Sequence, residues 1–276
     1  MIHVVGKYIL QIPQDHALAQ IQANNPLYDK GIIPAIRAII DDNPSEVVMD
    51  IGANVGDTAA LISTCGNNPI ICIEGSNEYL PFLRRNITQM ENDISIVEKY
   101  IKIPMESNAS LSSVPTRGTN KLTATKEGED VDSDQFIAIN EILDDIPGKL
   151  AMFKTDTDGC DIGIVEQFLN HDASIDCPVF MEFDTSFKLS PQKQVAQLLK
   201  TFADREYSCA VFTNRGLPLL FQNHLQQEIM LDLSNYCILQ KNFRLKMDYL
   251  DLFLFPKSKD FLWKKIADGY RLRKFI

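Results

Sequence analysis

Val47-Val48-Met49-Asp50-Ile51-Gly52-Ala53-Asn54-Val55-Gly56 decides the fold. Its apolar start, bounded upstream by Asn43-Pro44, reads as a strand, and the amphipathic stretch Thr58 to Ser63 reads as a helix. Between them lies a glycine turn. Gly52 and Gly56 lack a Cβ, so the turn can be tight and its backbone can come close to a ligand. The helix that follows presents its free N–H groups and positive end to whatever binds there.

Asp50 ends the strand, ahead of the first glycine. A carboxylate there repels the pyrophosphate that the glycines of a dinucleotide-binding turn approach. It suits a cationic or amine-bearing ligand. Ile70-Ile71-Cys72-Ile73-Glu74 is a second apolar run closed by an acid. In a nucleotide-binding α/β unit, such an acid bonds ribose hydroxyls. The two acids together fit S-adenosylmethionine, with Asp50 near the amino-acid end and Glu74 at the ribose. Taken singly, the turn reads as packing and Glu74 as a solvated acid. In register over one βαβ unit they read as a nucleoside-cofactor site, to which Ser76 is added.

The 276 residues, 45% hydrophobic and 23% charged, are enough for one large globular domain. A net charge of −10 and a pI near 4.9 exclude a nucleic-acid backbone as the main partner. No apolar run reaches membrane-spanning length. Met1-Ile2-His3-Val4-Val5-Gly6-Lys7 lacks the basic region and apolar core of a secretion signal. Cys65, Cys72, Cys160, Cys177, Cys209 and Cys237 are scattered, without Cys-x-x-Cys, and are expected as buried thiols in a reducing cytoplasm. The four histidines show no metal-ligand spacing. Asn86-Ile87-Thr88 and Asn108-Ala109-Ser110 match glycosylation acceptors by chance.

Strands are expected at 47–50, 70–74, 94–101, 150–155, 178–183, 207–213 and 249–255, near-continuous apolar runs of the kind parallel strands make. Helices are expected at 56–65, 79–90, 162–170 and 191–204, the last starting at Pro191 with Ser190 as its cap. The expectation is an α/β fold, a doubly wound seven-stranded Rossmann-like sheet with an N-terminal helical cap. Residues 1–40 form the cap, with a helix at Ile32–Ile40 and Tyr28 over the site; 41–256 form the main domain. Within it, the polar stretch 104–136 reads as a lid or an insertion, and 257–276 as a basic helix, anion-facing or solvated.

Leu150-Ala151-Met152-Phe153-Lys154 is a strand followed by Thr155-Asp156-Thr157-Asp158-Gly159. In a doubly wound sheet this strand lies beside the first, where a transferring group would sit. Glu182 ends the next strand. Asp156, Lys154 and Glu182 are the candidate catalytic groups. Asp158-Gly159 also reads as a turn and Asp156 as a helix cap. Asp156, Asp158 and Glu182 are also a carboxylate set that Mg²⁺ accepts, with Glu141, Asp144 and Asp145 upstream.

These stretches give the chain a family resemblance. Val48 to Gly56, Ile73-Glu74, Arg85-Asn86-Ile87, Leu143-Asp144-Asp145, Phe153 to Gly159, Glu182 and Tyr249-Leu250-Asp251-Leu252 make it resemble the FkbM-type class I methyltransferases, from about residue 28 to 256. The resemblance implies S-adenosylmethionine as cofactor and O-methylation of a hydroxyl of a sugar, glycan precursor or secondary metabolite. It implies that Asp50, Gly52, Asn54 and Gly56 hold the methionine moiety and Glu74 the ribose. Asp156 is then nearest the reacting groups, as the base. The chain departs from the family at Thr155 and Thr157, where Ile and Val are usual, at Asp158 for Glu, and at Gly75 for Pro.

Two other classes stay open: another Rossmann-type enzyme such as an NAD oxidoreductase, and a non-catalytic cofactor-binding subunit. A small-molecule or glycan acceptor is the expected partner, and a homo-oligomer is compatible with the sequence.

Overall fold

The computed structural model describes residues 1–28, 30–104, 111–115, 120–124, 133–186, 189, 191–243 and 249–272. The chain opens with an antiparallel hairpin, β1 (Ile2–Val5) and β2 (Tyr8–Gln11). The helices α1 (Leu18–Asn24) and α2 (Ile33–Asp42) follow, so the N-terminal segment is part strand, not wholly helical. α2 buries Ala35, Ile36, Ala38, Ile39 and Ile40 and exposes Arg37.

Strand and helix then alternate through β3 (Val47–Ile51), α3 (Asp57–Cys65), β4 (Ile70–Ile73), α4 (Leu80–Ile87) and β5 (Ile94–Val97). The expected strand 94–101 breaks here: β6 (Tyr100–Ile101) leaves the sheet. The 104–136 stretch contributes a hairpin, β7 (Leu111–Pro115) with β8 (Asn120–Ala124). β9 (Phe136–Ile137) then returns to pair in parallel with β6, and the Lys102 N–H donates to the Ile137 carbonyl at 2.8 Å. The chain continues through α5 (Ile139–Asp144), β10 (Leu150–Thr155), α6 (Asp161–Leu169), β11 (Val179–Phe183) and α7 (Gln192–Asp204). Pro191 is itself the N-cap of α7 and starts no helical turn; Ser190, the expected cap, lies outside the described residues. The last elements are β12 (Ser208–Thr213), β13 (Pro218–Gln222), α8 (Gln227–Asn242), β14 (Leu250–Phe255) and α9 (Asp260–Leu272).

The main sheet has eight strands in the order β13-β12-β14-β11-β10-β3-β4-β5, one more than expected. β5, β4, β3, β10 and β11 run parallel, and β14 is antiparallel to both its neighbours, as is β13 to β12. β3, β10 and β11 are buried at every position, which explains why they read as unbroken apolar runs. α2, α3, α9 and the N-terminal hairpin cover one face of the sheet. α5, α6, α7 and α8 cover the other. Aromatic pairs lock both layers: Phe180 of β11 stacks on Phe253 of β14 at 4.4 Å, and Phe153 of β10 on Phe168 of α6 at 3.8 Å.

α9 belongs to this core. It buries Leu262, Trp263, Ile266, Ala267 and Tyr270 and turns Lys264 and Lys265 to solvent. Its cations are the solvated side of a packed helix; Arg273 and Lys274 lie outside the described residues.

Candidate active site

The turn after β3 is shaped by what its first glycine lacks. Gly52 has φ +77°, and a Cβ on it would lie 1.9 Å from the Asp156 carbonyl oxygen. The loops after β3 and β10 therefore touch through their backbones, where the strand order reverses direction. Asn54 is left-handed at φ +50°, a conformation Asn tolerates better than most residues. Its N–H donates to Glu74 Oε2 at 2.8 Å, and the Ser76 N–H donates to Glu74 Oε1 at 2.7 Å. Two amides thus fix the carboxylate at the end of β4. Burial pushes the Glu74 pKa up, against the pull of those amides. Gly56, at φ +87°, is the N-cap of α3.

Glu74, Gly52 and Asp156 follow the ends of β4, β3 and β10, and Glu182 is the last but one residue of the adjacent β11. Glu74 and Glu182 are three strand spacings apart, about 14 Å. All four line one cleft of about 230 Å³, together with Asn54, Asp57, Tyr100, Lys154, Asp158 and Tyr249. His16 and Tyr28 from the N-terminal segment line it as well. Asp50, Gly56 and Ser76 do not.

Asp50 instead faces a lysine. It is fully buried, with Lys154 Nζ 2.8 Å from its Oδ1. The same Nζ lies 3.4 Å from the carbonyl oxygens of Ile51 and Gly52 and 4.0 Å from Asp156 Oδ2. Burial alone would lower the Lys154 pKa, but the charges of Asp50 and Asp156 outweigh it and raise the pKa. Paired with Asp50 in this way, Lys154 is the internal counter-ion of the site.

Beyond β10 the acids hold one another. Glu182 is 5% exposed, and burial, followed by the charges of Asp156, Asp161 and Asp158, pushes its pKa well up. That shift favours the protonated form of Glu182 beside Asp156, whose own side chain is 53% exposed. Among the described residues no three His, Cys, Asp or Glu side chains are grouped to hold a metal ion, so the Mg²⁺ set Asp156, Asp158 and Glu182 is not assembled.

Several working residues escaped the sequence reading. Asp161, not Asp156, organises the loop: Oδ1 accepts from Thr155 Oγ1 at 2.8 Å and Thr157 N–H at 3.0 Å, and Oδ2 from Gly159 N–H at 3.3 Å. Burial, followed by the charge of Asp156, raises its pKa to about 6. Thr155 thus has a partner in place, and Asp158, left-handed at φ +52°, adopts a conformation its short side chain accepts. A Cβ on Gly75 would lie 2.3 Å from the Tyr100 ring, so the turn after β4 leaves no room for a side chain there. Asn86, 1% exposed, donates to the carbonyls of Val55 at 2.7 Å and Gln11 at 2.8 Å and accepts from the Gln11 N–H at 2.8 Å. It ties the glycine turn to the N-terminal hairpin. Of the basic residues of the polar 104–136 stretch, Arg117 and Lys126 lie outside the described residues, and Lys121 falls in β8.

No protein-family model matches the chain, and no curated protein matches it. Similar solved structures include methyltransferases. One is a precorrin-6y C5,15-methyltransferase from Geobacter metallireducens, 14% identical with a TM-score of 0.40 over 76% of this chain and 81% of that one. An O-methyltransferase from Bacillus cereus in complex with SAH is 11% identical, with a TM-score of 0.46 over 88% and 92%. Methyltransferase FkbM from Methylobacillus flagellatus is 14% identical, with a TM-score of 0.42 over 76% of this chain and 44% of that one.

Proposed function

We propose that the protein is a class I methyltransferase of the FkbM type that uses S-adenosylmethionine to methylate a hydroxyl of a sugar, glycan precursor or secondary metabolite. One observation carries the reading. The amide of Asn54, in the glycine turn, is committed to Glu74, and Asp57 stands in the first turn of α3. A phosphate-binding turn keeps its amides free and its helix end clear of acids. This turn offers a fixed carboxylate to ribose hydroxyls and an acid-lined floor to a cation. The same features weigh against NAD.

The bound cofactor would supply a methyl group already activated on a sulfonium. The chain's own residues do the rest. Gly52 and Asn54 shape the floor, Glu74 accepts the ribose hydroxyls, and Asp50 with Lys154 keeps the loop charges balanced from behind. Asp156 takes the proton of the acceptor hydroxyl. Burial raises the Glu182 pKa and favours its protonated form, which adds no second negative charge beside Asp156. The chain contains no disulfide among its six cysteines, five of them buried, which supports a cytoplasmic setting. No helix among the described residues is long and apolar enough to cross a membrane.

Calorimetric titration tests the reading. S-adenosylhomocysteine should bind with one-to-one heats and NAD should give none. Glu74→Ala should weaken the binding by about 2–4 kcal/mol, since it removes charge-assisted hydrogen bonds. NAD binding, or a Glu74→Ala variant that binds as the parent does, would overturn it. Binding of S-adenosylmethionine without label transfer from its methyl group to any hydroxylated acceptor would favour the non-catalytic subunit.

A further inference from the structure

The N-terminal segment lies outside the main sheet, yet it reaches into the cleft at His16. This side chain is 8% exposed and packs edge-on against Tyr79 with ring centroids 5.7 Å apart. Its two nitrogens have different partners. The Leu18 N–H points at Nδ1 at 3.2 Å, so Nδ1 is the acceptor and the neutral ring carries its proton on Nε2. Nε2 then donates to Asn54 Oδ1 at 3.1 Å. Asn54 in turn donates its backbone N–H to Glu74 at 2.8 Å.

We infer that His16 is a positioning residue for the nucleoside end of the cleft, acting on Glu74 through Asn54. The physical need is plain. Asn54 sits in a left-handed conformation that costs a non-glycine residue free energy. Its amide meets Glu74 only while that conformation persists. The hydrogen bond from His16 fixes the Asn54 side chain, and with it the peptide plane that carries the amide. Asn86, which bonds both Gln11 and Val55, anchors the same segment to the same turn at a second point. The N-terminal segment therefore completes the cofactor site. Both ring nitrogens of His16 are thus engaged, Nε2 with Asn54 and Nδ1 with the Leu18 N–H, which leaves neither turned to a substrate proton.

The inference rests on the cofactor reading above, and its test separates the two. Titrate the full chain with S-adenosylhomocysteine. His16→Leu should bind about fivefold to tenfold more weakly, the size of one lost hydrogen bond. His16→Gln, which restores an N–H donor, should bind within about twofold of the parent. On an Asn54→Ala background, His16→Leu should change nothing further. Undiminished binding by His16→Leu, no rescue by Gln, or additive losses in the double variant would each overturn the role, whatever happens to thermal stability. If the parent binds no S-adenosylhomocysteine, the methyltransferase reading fails alone. The wiring is then decided by ¹⁵N NMR of the His16 ring: a proton on Nε2 upholds it and a proton on Nδ1 overturns it.

Discussion

The raised pKa of Glu182 makes a pH prediction. Its folded pKa lies well above the 4.5 of an unfolded chain, because it is buried among Asp156, Asp161 and Asp158. As pH rises past 4.5, the unfolded chain releases this proton and the folded chain keeps it. Its contribution to stability is therefore full below that value and is lost as pH climbs toward the folded pKa. Glu182→Gln is neutral at every pH and keeps a donor for Asp156. Urea unfolding should show the variant gaining on the parent as pH rises above about 4.5. A parent-minus-variant difference that stays flat would mean that Glu182 is ionised in the folded protein. Position alone made the strand-end acids legible: Asp50, Glu74, Asp156 and Glu182 each close or follow an apolar run. Their division of labour was not legible. Whether an acid faces a cleft, a lysine or another acid depends on neighbours distant in sequence, such as Lys154 and Asp50, which lie on separate strands.

At the scale of elements, continuous apolar runs gave the central strands nearly to the residue, because β3, β10 and β11 are covered on both sides. The edges were harder. β13 begins at Pro218 and alternates in exposure, the mark of an edge strand whose signal is weak. Strand direction was not written in the runs either: β14 is as apolar as β11 and runs opposite to it. α9 looked like a basic tail because Lys257, Lys259, Lys264, Lys265 and Arg271 crowd its stretch, whereas its apolar residues at 262, 263, 266, 267 and 270 follow a helical period. Ile266 is 3% exposed within that core. Ile266→Ala should cost about 2–5 kcal/mol of folding stability. A loss under about 0.5 kcal/mol in chemical denaturation would show that the helix is only loosely docked.

Across the whole molecule, the ligand-facing chemistry is gathered at one end of the sheet, where strands β4, β3, β10 and β11 finish, and the N-terminal segment comes over it. The remaining long excursion is fastened differently. Tyr100 pairs with Phe136 and Ile101 with Ile137, their rings 5.5 Å apart at the first pair, and this short parallel stem is separate from the eight-stranded sheet. Because the stem is parallel, the chain leaves it after Ile101 at one end and re-enters before Phe136 at the other, so the excursion has to cross back along the stem. For a protein engineer that sets the reach of any replacement. The stretch between 104 and 133 could be exchanged for a flexible Gly-Ser crossover of about a dozen residues, but not for a tight turn. Such a chimera should unfold in one cooperative step at a midpoint within a few degrees of the parent's. A broadened or lost transition would show that the sheet leans on the excised piece.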